Sequence, residues 1–380
     1  MPDKIKILFL GPAYPYRGGI SSFTDRLALE FSNQGNMVDI FTFSLQYPSI
    51  LFPGKTQFST EPPPSKLKAI RAINSINPFN WIQVGKKIQA LQPDLILVRY
   101  WITFLAPALG TILRIAKKNA KCKVICIADN IIPHEKRIGD ARLTAYFNRS
   151  IDGYVVMSEQ VKSDLQMVDK SKPYSFLPHP LFDNFGFIQN INEARKELNI
   201  TQTDKVILFF GLIRAYKGLD MLLEAIARPE VQNLQVKLII AGEFYDKKEK
   251  YISIIQKHKI ENSVIVEDHF IPNDKVALYM SAADVLVQPY RHATQSGVTP
   301  LAMHFNLPMI VTDVGGLTEM VLDGKTGLVV QPTADQIADG LIEYFKYGKE
   351  YFQVNIPDFK KQFSWNHMYQ GILSLYRKLL

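Results

Sequence analysis

The stretch Asp284-Val-Leu-Val-Gln-Pro-Tyr290, then Arg291-His-Ala-Thr-Gln-Ser296, then Gly297-Val-Thr-Pro-Leu-Ala-Met-His-Phe305, decides the fold. A short apolar run ending in proline reads as a buried strand, the polar segment as a loop, and the last piece as a short helix stopped by Asn306 and Pro308. The unit repeats at once: strand Met309-Ile-Val-Thr312, loop Asp313-Val-Gly-Gly316, helix Leu317 to Leu322, turn Asp323-Gly324, strand Gly327-Leu-Val-Val330. Strands that are apolar throughout, alternating with short helices, imply a parallel sheet covered on both faces. Ligands of such sheets bind beyond the carboxyl ends of the strands. The loops Thr294-Gln295-Ser296-Gly297 and Gly315-Gly316 lie there. The first also opens a helix, whose unpaired N–H groups and dipole favour an anion. From this stretch alone, a plain α/β core with a glycine turn reads equally well.

Outward toward the N-terminus the same grammar recurs. Lys205-Val-Ile-Leu-Phe-Phe210 is a strand, Gly211-Leu-Ile-Arg-Ala-Tyr-Lys-Gly218 a loop, and Leu219 to Ala227 a helix. Lys237-Leu-Ile-Ile240 with the turn Ala241-Gly-Glu243 follows, then strand Ser263 to Glu267, and Phe270-Ile-Pro272 before a helix capped by Asn273. A glycine, an arginine and a lysine on one strand-to-helix loop suit a pyrophosphate: Arg214 offers a bidentate fork and Lys217 a point charge.

The first half opens with strand Lys4 to Leu10, the loop Gly11-Pro-Ala-Tyr-Pro-Tyr-Arg-Gly-Gly19, a helix from Ile20 to Asn33 closed by Gly35, and strand Val38 to Thr42. Gly18 and Gly19 just before a helix let a phosphate or sugar approach the backbone. Their spacing is not that of the dinucleotide fingerprint, so no NAD site is expected. Ser65 to Ile76 reads as a helix with Leu67, Ile70 and Ile73 on one side and Lys66, Lys68 and Arg71 on the rest. That pattern fits an ordinary surface helix, or a basic one lying on an anionic membrane. Asp94 to Val98 is a strand, Ile102 to Lys118 a helix, and Val124 to Ala128 a strand leading to Asp129-Asn-Ile-Ile-Pro-His-Glu135. Polar groups just past a parallel strand, here Asp129 and His134, are candidates for a binding site. Tyr154 to Met157 starts one more strand–helix unit, with Ser158 as N-cap. Tyr174 to Leu177 and the run on to Asn199 read as the connection between domains.

Composition bounds these readings. The 380 residues leave room for two domains of ordinary size, and 47 % hydrophobic with 21 % charged residues is a globular balance. The net charge of +8 points to an anionic partner, a nucleotide or a phospholipid surface. No arginine-rich tail or RNA-binding motif accompanies it, so nucleic acid is not expected. The two cysteines, Cys122 and Cys126, form no disulfide framework or zinc pattern, which fits a reducing cytoplasm, and Cys126 reads as a core residue. No run approaches the roughly 20 apolar residues of a spanning helix.

Taken in order, Gly11-Pro12 with Gly18-Gly19-Ile20, Asp129 to Glu135, Gly211 to Asp220, Ala282-Ala-Asp-Val285 and Leu307-Pro-Met-Ile-Val-Thr-Asp-Val-Gly-Gly-Leu-Thr-Glu319 resemble the retaining glycosyltransferases of family 4. The resemblance implies an α/β chain of GT-B fold, two Rossmann-like domains with parallel sheets facing a central cleft. An acceptor-binding domain would span 1–185 and a nucleotide-sugar-binding domain 203–362, with the segment 363–380 crossing back to the first as a helix. It implies transfer of a hexosyl group from a nucleotide-diphosphate sugar to a saccharide or lipid-linked acceptor, in polysaccharide or glycolipid synthesis at the cell surface. The setting would be the cytoplasm or the inner face of the plasma membrane, with no metal and no further cofactor.

The resemblance also implies roles. Arg214 and Lys217 would neutralise the leaving diphosphate, and Gly18, Gly19 and Gly211 would approach the donor. Phe270 and Ile271 would hold the base, while Ser296, Gly297, Val298 and Thr299 would line the phosphate, the last two through backbone N–H groups. Arg17 and His134 would face the sugar or acceptor. The mechanism implied is front-face substitution with retention, in which the leaving diphosphate takes the acceptor's proton. Asp129 is the carboxylate to test for a double displacement. Two departures stand out. Ala293 and Leu301 occupy the positions of the family's paired glutamates, leaving Gln295 to contact the sugar, and Asp129 stands where a histidine is usual. A sugar-nucleotide epimerase on the same fold, or a non-catalytic nucleotide- or glycan-binding partner, remain alternatives.

Overall fold

The computed structural model describes residues 4–48, 56–59, 62–63, 67–118, 122–132, 139–293 and 296–380. The chain divides into two units. The first runs to Pro180 and takes back Phe363–Leu380, and the second is Leu181–Gln362. Each is built on a parallel sheet.

In the first unit the strands are β1 (Lys6–Leu10), β2 (Met37–Leu45), β3 (Ala69–Asn74), β4 (Leu95–Tyr100), β5 (Lys123–Ala128), β6 (Gly153–Val156) and β7 (Tyr174–Phe176). They lie in the order β3-β2-β1-β4-β5-β6-β7. The central strands carry Ile, Leu, Val and Phe on both faces because helices cover both. Ile7, Ile96, Val98, Val124 and Cys126 are wholly buried, the aliphatic ones each contributing about 1.5–3 kcal/mol by leaving water. The terminal helix Trp365–Leu379 packs within this unit on the helix Gly19–Asn33, through Tyr369 against Phe31 with ring centroids 4.8 Å apart. The sequence expectation of a last helix returning to the first domain holds.

The second unit carries β8 (Lys205–Phe210), β9 (Val236–Ala241), β10 (Val264–Glu267), β11 (Val285–Gln288), β12 (Met309–Thr312) and β13 (Gly327–Val330), ordered β10-β9-β8-β11-β12-β13. The part of the expected connection from Leu181 on to Asn199 belongs to it. Its helix Ile191–Glu197 packs Ala194 against Leu278 and Ala282, and Arg195 pairs with Asp284 at 2.8 Å.

Three readings of the sequence are corrected. Ala69–Asn74, expected within a helix, is the edge strand β3, paired in parallel with β2 from Ile40 to Leu45. The spacing of Leu67, Ile70 and Ile73 imitates a helical face, but the open hydrogen-bonding groups of β2 and the pocket that buries Ile73 decide the outcome. The basic amphipathic helix is therefore not formed, and a membrane contact draws no support from it. Residues 65 and 66 lie outside the described part. Tyr174–Phe176, taken as connection, is the short strand β7 on β6. The helix expected from Leu317 is a 3-10 turn over Gly315–Met320. Among the described residues no helix is long and apolar enough to cross a membrane.

Candidate functional site

Both sheets reverse their strand order at one place, between β1 and β4 in the first unit and between β8 and β11 in the second. Crossovers leave such a point in opposite directions and open a crevice at the carboxyl ends of the two strands. The loops there after β1, β8 and β11 are among those the sequence singled out; the loop after β4 is not.

In the second unit the loop after β8 begins at Gly211, with φ +94°, and ends at Gly218, with φ +68°. Hydrogen bonds from Gly211 N–H to Ala241 O and from Ile213 N–H to Glu243 O tie its first half to β9. Lys217 is carried inward and is only 7 % exposed, its Nζ lying 5.5 Å from the ring centroid of Tyr290. A methyl added at Gly211 would sit 3.4 Å from both Lys217 Nζ and Val298 Cγ2. Gly211, Lys217 and Val298, distant in sequence, thus border one point. Burial depresses the Lys217 ammonium below the usual lysine range, with Arg214 adding to the effect and Tyr216 opposing it. Arg214 is exposed and lies over the ring of Tyr245, 5.0 Å from its centroid.

The loop after β11 is held by a network that the sequence did not reveal. Gln288 Nε2 donates to Ser296 Oγ at 2.8 Å, and Thr299 Oγ1 donates to Gln288 Oε1 at 2.9 Å. Thr312 Oγ1 donates to Tyr290 O at 2.6 Å. Ser296 Oγ also accepts from Val298 N–H at 3.2 Å. The side chains of Ser296 and Thr299 are thereby spent on holding the loop, and the Val298 N–H is engaged by Ser296. Outside the network, Arg291 forks onto Asp220 at 2.7 and 3.0 Å, fastening the same loop to the helix after Gly218. Gly297 lies beside Phe182. Leu301, at a position of the family's glutamates, is 5 % exposed and packs inward. Phe270 and Ile271 follow the end of β10, Ile271 buried and Phe270 half-buried, two strands from Gly211 in the sheet order. Gln295 lies outside the described residues.

In the first unit, Gly18, with φ +107°, precedes the fifteen-residue helix Gly19–Asn33, and an added methyl there meets nothing within 4 Å. Gly18 thus presents open backbone at the helix start, and Gly19 beside it is exposed. Arg17 is tied through its N–H to Gln57 O at 3.1 Å. Asp129, just past β5, pairs with Arg99, the guanidinium near the end of β4. Burial pushes the Asp129 carboxyl up, against the pull of the Arg99 charge. His134 lies outside the described residues. Arg99 is a functional candidate that sequence reasoning passed over. Among the described residues no three His, Cys, Asp or Glu side chains gather in an arrangement that could hold a metal ion.

Asp25 holds the glycine loop from below, accepting from Tyr14 N–H at 3.0 and 3.3 Å. Burial pushes its carboxyl up to about 7. The folded state then binds more protons than the unfolded chain between the ordinary aspartate value and that point, so its stability falls as pH rises through that window. An Asp25→Asn variant loses this dependence. Relative to the parent it is expected to gain stability from about pH 4 to about pH 7, by roughly 2–4 kcal/mol. Thermal unfolding at both ends of the window checks this, and a gap between parent and variant that stays constant with pH contradicts it.

The profile of the family described as Glycosyl transferases group 1 matches residues 190–354, almost the whole second unit. An uncharacterised glycosyltransferase of Methanocaldococcus jannaschii is 28 % identical over 192 residues, 50 % of this chain and 52 % of the relative. The D-inositol 3-phosphate glycosyltransferase of Corynebacterium aurimucosum is 26 % identical over 231 residues, 59 % of this chain and 51 % of its own. The chain thus spans about half the length of these curated relatives. Among solved structures, Anabaena HepE in complex with UDP and glucose superposes with a TM-score of 0.73 at 17 % identity, covering 98 % of this chain and 100 % of that one. At that identity the likeness shows the fold, GT-B.

Proposed function

We propose, for a chain whose residues 190–354 match the profile of the glycosyl transferases group 1, that it is a retaining glycosyltransferase of family 4. It moves a hexosyl group from a nucleotide-diphosphate sugar to a saccharide or lipid-linked acceptor, in the synthesis of a cell-surface polysaccharide or glycolipid. The observation that carries the reading is the meeting of Gly211, Lys217 and Val298 at the strand-order reversal of the second unit. A bare glycine backbone beside a buried ammonium that pairs with no carboxylate among the described residues is a place built for an anion that arrives and leaves.

Lys217 and Arg214 stabilise the negative charge that grows on the diphosphate as the glycosidic bond breaks. Gly18 and Gly19 of the first unit give close backbone approach, Gln295 contacts the donor sugar, and Phe270 with Ile271 lies on the side of the base. Arg17 and His134 are assigned to the sugar or acceptor side. The leaving diphosphate takes the acceptor hydroxyl's proton in a front-face substitution, the enzyme supplying orientation and fixed charge. The relatives and HepE support the class of reaction and the class of donor. A non-catalytic binder remains the second reading, favoured by the inward-packed Leu301.

Turnover of UDP-, GDP- and ADP-sugars, with and without a membrane extract as acceptor source, tests the proposal. Release of a nucleoside diphosphate that rises with acceptor supports it. Tight binding without release would favour the non-catalytic reading, and epimerised nucleotide sugar would overturn both. Fixed cations do the work of a divalent ion here, so activity is expected to survive excess EDTA within about a factor of two. Loss that Mg²⁺ or Mn²⁺ restores contradicts that part.

A further inference from the structure

Arg99 is 3 % exposed, beside the strand-order reversal of the first unit. Its Nη2 pairs with Asp129 Oδ1, and its guanidinium carbon lies 4.1 Å from the ring centroid of Phe23. Gly11, just past the end of β1, leaves the room: an added methyl would sit 3.0 Å from Arg99 Cβ. Three atoms of the pair, Arg99 Nε, Arg99 Nη1 and Asp129 Oδ2, are buried and have no hydrogen-bond partner among the described residues. Each such atom is costly to leave unmet. A chain that keeps two donors and an acceptor in this state, where a ligand crevice is expected, is poised for a ligand that meets them.

The chemistry narrows that ligand. Guanidinium and carboxylate cancel, so the pair is neutral overall and offers donors beside an acceptor. A hydroxyl is both donor and acceptor, and two hydroxyls on adjacent carbons can satisfy both sides at once. A phosphate has no proton to give Asp129 Oδ2 at neutral pH and is repelled by it. His179, stacked edge-on at 5.0 Å from Phe23, adds no charge near neutrality, since burial lowers its ring to about 4. We propose that Arg99 and Asp129 form the acceptor subsite of the first unit and read neighbouring, unphosphorylated hydroxyls of a neutral polyol ring. The proposal rests on the glycosyltransferase reading and deepens it.

The test uses the full chain saturated with whichever of UDP, GDP or ADP binds it. Ligand-observed NMR then follows D-glucose, D-galactose, D-mannose and myo-inositol, each beside its monophosphate. At least one neutral probe is expected to bind, and better than its phosphate. Its affinity should fall at least about tenfold in Asp129→Asn and in Arg99→Met, the loss that follows from one buried polar contact. In Asp129→Asn, which keeps the shape of the site and frees the Arg99 charge, the preference should swing toward the phosphate. Because Arg99→Met removes a buried ion pair, its fold is checked by thermal unfolding, with Asp129→Asn as the decisive variant. Calorimetry of the nucleoside diphosphate should give the same affinity in parent and variants. Neutral probes that bind Asp129→Asn as they bind the parent, a parent that prefers phosphates, or a parent that binds no neutral probe would each overturn the proposal. Failure of the parent to bind any nucleoside diphosphate would instead strike the functional reading beneath it.

Discussion

Replacement of Lys217 by alanine is expected to lower kcat/KM for sugar transfer by about 10²- to 10³-fold and to leave the free protein at least as stable as the parent. The two halves of this expectation have one cause. The ammonium is 7 % exposed and its range is depressed by burial, with Tyr216 and Arg214 as its nearest charged influences and no carboxylate among them. A desolvated cation of that kind contributes nothing to the stability of the empty protein and gains its counter-charge only when the diphosphate arrives. Arg214→Ala should also lose activity, by about 10²-fold, and with less effect on the range of neighbouring groups because Arg214 is exposed. Steady-state kinetics with thermal unfolding of the same preparations checks both. A Lys217→Ala protein that is active but unstable would mean that the side chain is a packing element and not a charge held for substrate.

The second large effect is expected from Gly218→Ala. Gly218 has φ +68°, and an added methyl would lie 1.9 Å from Pro289 O and 2.6 Å from Met221 Cε. The backbone conformation costs about 1–2 kcal/mol for any residue with a Cβ, and contact with a carbonyl oxygen at that distance cannot be relieved by turning a side chain. The loops after β8 and β11 must move apart, carrying Lys217 away from Tyr290. We expect a loss of about 3–5 kcal/mol, a Tm lower by roughly 6–20 °C for a unit of this size, and weakened nucleotide binding. Gly324→Ala is the comparison: φ is +70° but nothing lies within 4 Å of the new methyl, so only the conformational cost of about 1–2 kcal/mol is expected. Equal effects from the two substitutions would show that the close approach at Pro289 does not hold the loops.

The course of the sheets was legible in the residues because parallel strands covered on both faces have to be apolar throughout. Runs such as Leu286–Val287 and Ile207–Leu208 leave no other reading. The Gly211–Gly218 loop was legible too, since a glycine, an arginine and a lysine between a strand and a helix have few uses. Edge elements were not. Ala69–Asn74 has the spacing of a helix face, and only the unpaired edge of β2, invisible in a local window, makes it a strand. Tyr174–Phe176 is three residues long, too short for any period to show. The network of Gln288, Ser296, Thr299 and Tyr290 escaped because a glutamine at a strand end gives no pattern; its meaning lies in partners eight and eleven residues away. Arg99 escaped for a similar reason. A charge at the end of an apolar strand looks like the strand's exit into solvent, and only the sheet order that sets β5 beside β4 brings Asp129 to it.

A diphosphate held where Gly211, Lys217 and Val298 meet is central to the proposed reaction. Titration calorimetry of the parent and of Lys217→Ala with a nucleoside diphosphate and the matching monophosphate tests it most directly. The parent is expected to bind the diphosphate at least about tenfold more tightly than the monophosphate, as a charge-assisted contact to the added phosphate gives. In Lys217→Ala that preference should vanish while the monophosphate binds as before. Equal affinity of the parent for the two nucleotides, or a preference that survives loss of the lysine, would contradict it.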